Sequence, residues 1–362
     1  SVYANNSNQI GFLDENDNYL DLFVQHKLQL RKRRHLTLVK YPYEMKSITH
    51  DWIRYCRGCI IDTSSRRLVC IPPPKAHEYE KTKTYENEFT IQPLLDGTMV
   101  NISYMNGSFQ LSTRSDIGGK NNWNKKSIER MVRESTSYEK LIKELNPKLS
   151  YSFVLNHTNI RHIAFVTKNK LTLVKCYDRE TCEEQPLKPS SYYEILPTES
   201  ATMSIHEYVS EFEKFHSKDP QHKGLTFQFK THRVKYINPS YTKVKDTLTG
   251  NTDNKLFRFS KVKQTQKLKE YLEMYPEDTE LFSMYSEKYE AMIEAITNSY
   301  HSLFIHKTKT LKEIPFRIKP IMYELHTCFL KENAYISKHY VRNYVSQLKP
   351  NRIAFLMNET FM

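Results

Sequence analysis

Nowhere in the 362 residues does an apolar run approach the ~20 needed to span a bilayer, so a transmembrane helix is not expected. The opening SVYANNSNQI lacks the charged and apolar regions of a signal peptide, and a cytoplasmic address is the expectation. Cysteine is scarce. Six scattered residues, Cys56, Cys59, Cys70, Cys176, Cys182 and Cys328, are too few for a disulfide scaffold and fit a reducing compartment. Cys56-x-x-Cys59 has metal-ligand spacing, but no second Cys-x-x-Cys or His-x-x-x-His follows it, and a structural zinc is not expected. The chain also lacks repeats and low-complexity tracts. Acid is in deficit: 41 Asp and Glu against 54 Lys and Arg leave a net charge of +13. Such a surplus attracts polyanions at long range.

What is present sharpens that reading. Bases are interleaved with aromatics, as in Phe227-Gln-Phe229-Lys230-Thr-His232-Arg233-Val-Lys235-Tyr236, a pattern in which rings stack on bases while cations hold phosphates. The length suits two or three domains. From about residue 36 to 245 the segments are short, β-branched and aromatic, among them Thr98-Met-Val-Asn-Ile-Ser-Tyr104, Tyr151-Ser-Phe-Val-Leu155 and Leu225-Thr-Phe-Gln-Phe229, with Met105-Asn106-Gly107-Ser108 as a hairpin turn. Helical insertions are expected near 125–145 and 203–216. From about 262 the pattern changes to amphipathic helices, with Tyr285, Tyr289, Met292, Ile293 and Ile296 sharing one face. The expected class is α+β: a helical or irregular lead-in over 1–35, an antiparallel-sheet core over 36–260 and an all-helical domain over 261–362.

The order of turns in the β region carries the functional signal. Arg57-Gly58, then Pro72-Pro-Pro-Lys75, then Leu94-Leu-Asp96-Gly97-Thr98, then Tyr151-Ser-Phe153-Val-Leu155 with Asn156-His-Thr-Asn-Ile-Arg161, then Lys223-Gly224-Leu225 to Lys230 with Arg233-Val-Lys235, run in the order of the motifs of phage-type RNA ligases. These are enzymes of the covalent nucleotidyltransferase superfamily, which carry Lys-x-Asp-Gly where this chain has Leu94-Leu95-Asp96-Gly97. Asp96-Gly-Thr-Met-Val-Asn101, Ser112-Thr-Arg-Ser115-Asp-Ile-Gly118, Met322-Tyr-Glu-Leu-His326 and Leu348-Lys-Pro-Asn-Arg-Ile353 extend the likeness over nearly the whole chain. With them it resembles RNA-ligase-like proteins of large cytoplasmic DNA viruses. The resemblance implies a ligase adenylation-like nucleotidyltransferase core, a viral origin, and a setting in host cytoplasm, viral factory or virion.

Departures fall at the chemically decisive positions. A lysyl-nucleotide needs an amine, and Leu94 has no nucleophilic atom. Val154 and Lys223 stand where the resemblance places two carboxylates, one serving ribose or metal and one a metal. Arg57, Asp96, Gly97, Thr98, Lys230, Arg233 and Lys235 are retained, and with Arg114 and Lys223 they are the candidate nucleotide- or phosphate-binding residues. Asp96-Gly97 also reads as an ordinary turn, and cations on one sheet face as solvation. His157, His162 and His232 do not form a ligand set by spacing. Three functions follow. The first is a pseudo-ligase binding RNA or another phosphate-rich ligand in a basic cleft, without cofactor or metal. The second is an active RNA ligase-like enzyme with ATP and Mg2+, using Lys75 or Lys223 as a displaced nucleophile. The third is a structural or assembly protein meeting other viral proteins through 261–362.

Overall fold

Short β-branched and aromatic runs punctuated by turn residues become strands, because branched and ring side chains pack well on a pleated surface. The computed structural model describes residues 18–359 apart from 43, 44, 46, 121, 124, 125 and 251. Its strands are β1 (Gln29–Arg33), β2 (Leu36–Lys40), β3 (Arg57–Asp62), β4 (Arg67–Cys70), β5 (His77–Glu78), β6 (Thr90–Leu94), β7 (Thr98–Met105), β8 (Ser108–Ser112), β9 (Asn122–Trp123), β10 (Lys126–Ser127), β11 (Leu149–Asn156), β12 (Lys170–Asp178), β13 (Glu194–Ile195), β14 (Glu199–Ser200), β15 (Gly224–Gln228) and β16 (Arg233–Ile237). The helices are α1 (Tyr19–Gln25), α2 (Ile128–Ser135), α3 (Tyr138–Glu144), α4 (Ile205–His216), α5 (Pro239–Val244), α6 (Lys255–Gln264), α7 (Leu268–Met274), α8 (Thr279–Tyr300), α9 (Lys319–Glu332), α10 (Lys338–Ser346) and α11 (Pro350–Met357). The class is α+β, with antiparallel sheets followed by a helical C-terminal region.

Three sheets build the β region, in the orders β1-β2-β3-β4, β13-β12-β11-β7-β8 and β14-β6-β15-β16-β5, beside a β9-β10 ribbon. Most pairs are antiparallel; β12 with β13 and β16 with β5 run parallel. The Asn106-Gly107 turn joins β7 to β8 with φ of 54° and 80° at its two central residues, the geometry that matches strand twist. Helices α2 and α3 supply Ile128, Met131, Val132 and Leu141 to a core with Phe153 and Leu155 of β11. Helix α4 starts at a capping box of Ser204 and Glu207 and lays Val209 and Phe212 against Phe227, Val234 and Tyr236. Full burial of a side chain such as Phe227 contributes about 1.5–3 kcal/mol.

Contacts divide the chain into two units, one closing at Thr242 and the other opening at Lys243. In the second, the buried Phe259 of α6 meets Phe282, Tyr285 and Tyr289 of α8, and α6 packs on α11. None of the helices among the described residues is long and apolar enough to cross a membrane. One difference from the sequence reading lies in the lead-in. Beyond α1, β1 pairs along its whole length with β2. Its sequence QLRKR is mostly exposed and charged, so apolar alternation does not reveal it.

Candidate functional site

Strand β6 ends at Leu94, and its register with β15 sets Leu94 opposite Gly224. Lys223 therefore arrives beside Leu94, with its Nζ 5.4 Å from the centre of the Tyr241 ring. Gly224 is required here: its φ is +153°, and a Cβ would lie 2.0 Å from the Tyr236 carbonyl oxygen. The turn after β6 is held by Asp96. Its Oδ1 accepts from the Tyr241 hydroxyl at 2.8 Å and its Oδ2 from the Ala164 N–H at 2.9 Å, while its carbonyl accepts from Asn156 Nδ2 at 2.7 Å. His162 Nδ1 lies 3.9 Å away. Gly97 presses on β11, where a Cβ would sit 2.4 Å from Val154 Cγ1.

These elements surround a cavity of about 300 Å³. One part is apolar, formed by Leu94, Leu95, Met99, Val154, Val174 and Leu196. The other carries six cations, Arg57, Lys75, Lys175, Lys223, Arg233 and Lys235, and the described lining holds no Asp or Glu. Two cations have carboxylate partners outside the lining: Lys175 Nζ is 2.5 Å from Glu184, and Lys235 Nζ is 3.0 Å from Glu78. Arg233 Nη1 donates to the Pro74 carbonyl at 2.9 Å. Burial lowers the pKa of Lys75, helped by the nearby Lys235, Arg54 and Arg57. Burial also lowers that of Lys175, against the pull of Glu184.

Of the residues singled out from sequence, the cavity gathers Arg57, Lys75, Gly97, Lys223, Arg233 and Lys235. Asp96 instead lines an adjoining hollow of about 410 Å³ that shares Leu94, Leu95 and Lys223. Thr98 opens β7 opposite Leu155 and is not part of either lining. Arg114 supports the cavity wall from outside: its Nη2 donates to the Tyr41 carbonyl at 2.7 Å, and its guanidinium lies 4.6 Å from the centre of that ring. Lys230 is exposed in the turn between β15 and β16, away from the lining, rather than on a strand face with Arg233 and Lys235. Lys175 is the residue the sequence reading missed. Its signal is a lysine inside the apolar strand Leu171-Thr-Leu-Val-Lys-Cys176, where an unpartnered charge is not tolerated.

Magnesium beside nucleotide phosphates needs carboxylate oxygens. Val154 and Lys223 offer none at the two positions in question, and the cavity residues do not fit that ion. Cys56 and Cys59 are both buried, and Cys59 and burial push the Cys56 thiol well above its ordinary range. Among the described residues no group of three or more His, Cys, Asp or Glu is placed to hold a metal.

Neither a protein-family model nor a curated protein matches the sequence. Solved structures do. An archaeal ATP-dependent RNA ligase matches in two forms, at 11% identity in each: form 1 over 78% of this chain and 79% of that one with a TM-score of 0.44, form 2 over 77% and 79% with 0.45. An Aquifex aeolicus protein assigned as an ATP-dependent DNA ligase matches at 13% identity over 74% of this chain and 71% of that one, with a TM-score of 0.44. The structural neighbours of this chain are thus ATP-dependent DNA and RNA ligases.

Proposed function

We propose that the chain is a pseudo-ligase whose cavity binds the phosphates of RNA or a related polyanion without forming a lysyl-nucleotide at residue 94. The observation that carries this is the lining: six cations, no carboxylate, and leucine at the nucleophile's place. Phosphate oxygens take the role that carboxylates would otherwise play as counter-charges, and an ammonium at position 223 supplies positive charge where a metal has no ligands. The apolar part suits a base or sugar face. On the strength of the viral resemblance we place this role in the cytoplasm of an infected cell, with the helical unit free to meet other viral proteins.

The test pairs binding with labelling. Single-stranded RNA should bind with an affinity that is unchanged by chelator and falls steeply with salt. For about four phosphate contacts the slope of log K against log salt is near −3, at about 0.7 per contact. Lys223→Glu should weaken binding by about 1–3 kcal/mol. A magnesium requirement, or a flat salt response, would sink the reading.

A second reading has an observation in its favour. Lys75 lies in the cavity with a depressed pKa, the property a nucleophilic amine needs, and Lys223 sits beside Leu94. Under this reading ATP and Mg2+ are substrate and cofactor, and attack on the α-phosphate by the Nζ expels pyrophosphate. Incubation with labelled ATP or GTP and magnesium, followed by a denaturing gel, separates the two. A covalent band lost in Lys75→Arg or Lys223→Arg supports the enzyme, and its absence supports the pseudo-ligase.

A further inference from the structure

Lys75 and Arg233 line a second hollow too, of about 370 Å³, whose remaining charged or titratable groups are Arg54, Tyr55, His77, Lys83, His232 and Asp51. Strand register brings these together. β5 runs parallel to β16 with His77 opposite Val234, which sets the His77 and His232 rings 5.8 Å apart at 84°. The His232 ring stacks on Phe229 at 4.8 Å and 5°, and its Nδ1 is 3.2 Å from Thr231 Oγ1. Lys75 is tied in by its N–H, which donates to the Arg54 carbonyl at 2.8 Å. The carboxylate of Asp51 stands 3.7 Å from Arg54 Nε. Two guanidinium groups, Arg54 and Arg233, and two lysines, Lys75 and Lys83, thus face one carboxylate in a concave surface that also presents two imidazoles.

We propose that this hollow is a binding site for a tetrahedral oxyanion carrying two negative charges, sulfate or phosphate in class, which His77 and His232 complete by taking up protons as the anion enters. The free protein is poised for this. Burial, Arg54 and His232 keep the pKa of His77 below its usual value, with Lys83 adding to them and Asp51 opposing. Burial and Lys83 do the same for His232, with Glu86 opposing. Both rings are therefore neutral near pH 7. A dianion among the same cations reverses the balance, because a nearby negative charge favours the imidazolium. Proton uptake makes affinity rise as pH falls, up to the point at which the rings are already charged in the free protein. None of this rests on the pseudo-ligase reading, since the imidazoles, Arg54 and Lys83 lie outside the first cavity's lining.

Sodium sulfate is the probe, because it does not titrate in the working range. In the full chain the imidazole proton resonances of His77 and His232, assigned through His77→Gln and His232→Gln, should shift together along one saturation curve. Affinity should be about tenfold higher near pH 6 than near pH 8. The double variant should retain binding at high pH and lose the pH dependence. Lys83→Gln, at an exposed position, should weaken sulfate severalfold with the fold intact. Unmoved imidazole resonances, or a pH dependence that survives in the double variant, overturn the proposal. Competition identifies the source. Inorganic phosphate displacing sulfate points to a free anion, and an oligonucleotide that competes only when its end is phosphorylated points to a strand terminus. If neither competes, the phosphate assignment is wrong.

Discussion

Asp96 has a task that needs no catalysis: it brackets Tyr241 and Ala164 to the turn after β6. Asp96→Asn still accepts from the Ala164 N–H and can donate its Nδ2 to the Tyr241 hydroxyl oxygen, losing only the charge-assisted part of the bracket at about 0.5–1.5 kcal/mol, whereas Asp96→Ala removes both acceptors, at about 2–4 kcal/mol. Urea denaturation of the two variants checks this, and a change below about 0.5 kcal/mol in both would show that the bracket is not structural. The thiols give a second residue-scale outcome. Cys56, Cys59, Cys70, Cys176 and Cys182 are buried, with Cys70 pushed up to about 11 and Cys176 and Cys182 to about 12 by burial, whereas Cys328 is partly exposed. Alkylation of the native protein near neutral pH should modify Cys328 first, as read by peptide mass mapping; prior labelling at Cys56 would contradict the packing. At this scale the sequence was most informative where a motif fixes a backbone position. Arg233 and Lys235 share a face because alternate residues of β16 point the same way, and the β6–β15 register sets Lys223 beside the turn that carries Gly97, while Arg57 on β3 and Lys75 before β5 were legible from their motifs alone. Lys175 escaped because it belongs to no motif, and Lys230 was misplaced because the β15–β16 turn begins before it.

Among the elements, α2 is joined to the end of β11 by charge. Glu134 receives Lys126 and Arg130 and meets His157 Nε2 at 2.7 Å. Lys126 first, then His157 and Arg130, depress its carboxyl to about 2. A carboxylate lowered in the folded state contributes stability above its unfolded pKa and loses it as pH falls through the folded value. The contribution is therefore complete above about pH 4.5 and fades toward about pH 2. Glu134→Gln should flatten the acid side of the thermal stability profile in that window; an unchanged profile would mean that solvent already screens the cluster. Gly224 holds β15 against β16 at the same scale. Gly224→Ala should disrupt that pairing and yield insoluble or strongly destabilised protein, because the added carbon meets backbone rather than a movable side chain. The Asn106-Gly107 hairpin and helices α2, α3 and α4 were legible from turn chemistry and apolar period. β1 was not, since its pairing with β2 is written in backbone hydrogen bonds and its side chains are solvated.

For the whole molecule, the division at Thr242 and Lys243 falls earlier than the change in composition near residue 260. The cause is α6, whose lysines make it read as polar although Leu256, Phe259 and Val262 are buried. A fragment of residues 243–362 should fold cooperatively and be helical by circular dichroism. One of 261–362 should melt far lower or not fold, because it lacks Phe259 and its contacts with Phe282, Tyr285 and Tyr289, a loss of about 3–5 kcal/mol. Equal stability of the two fragments would return the boundary to the later position. The turn after β6 has a consequence for descent as well. Leu94 is half-buried at a strand end with a side chain that makes no hydrogen bond, whereas Asp96 is fastened by three hydrogen bonds and Gly97 by a clearance that admits no Cβ. The fold thus constrains positions 96 and 97 more tightly than position 94. A search pattern written on Asp96-Gly97 and the groups that fasten it will therefore gather relatives of this chain that one insisting on a lysine at position 94 passes over.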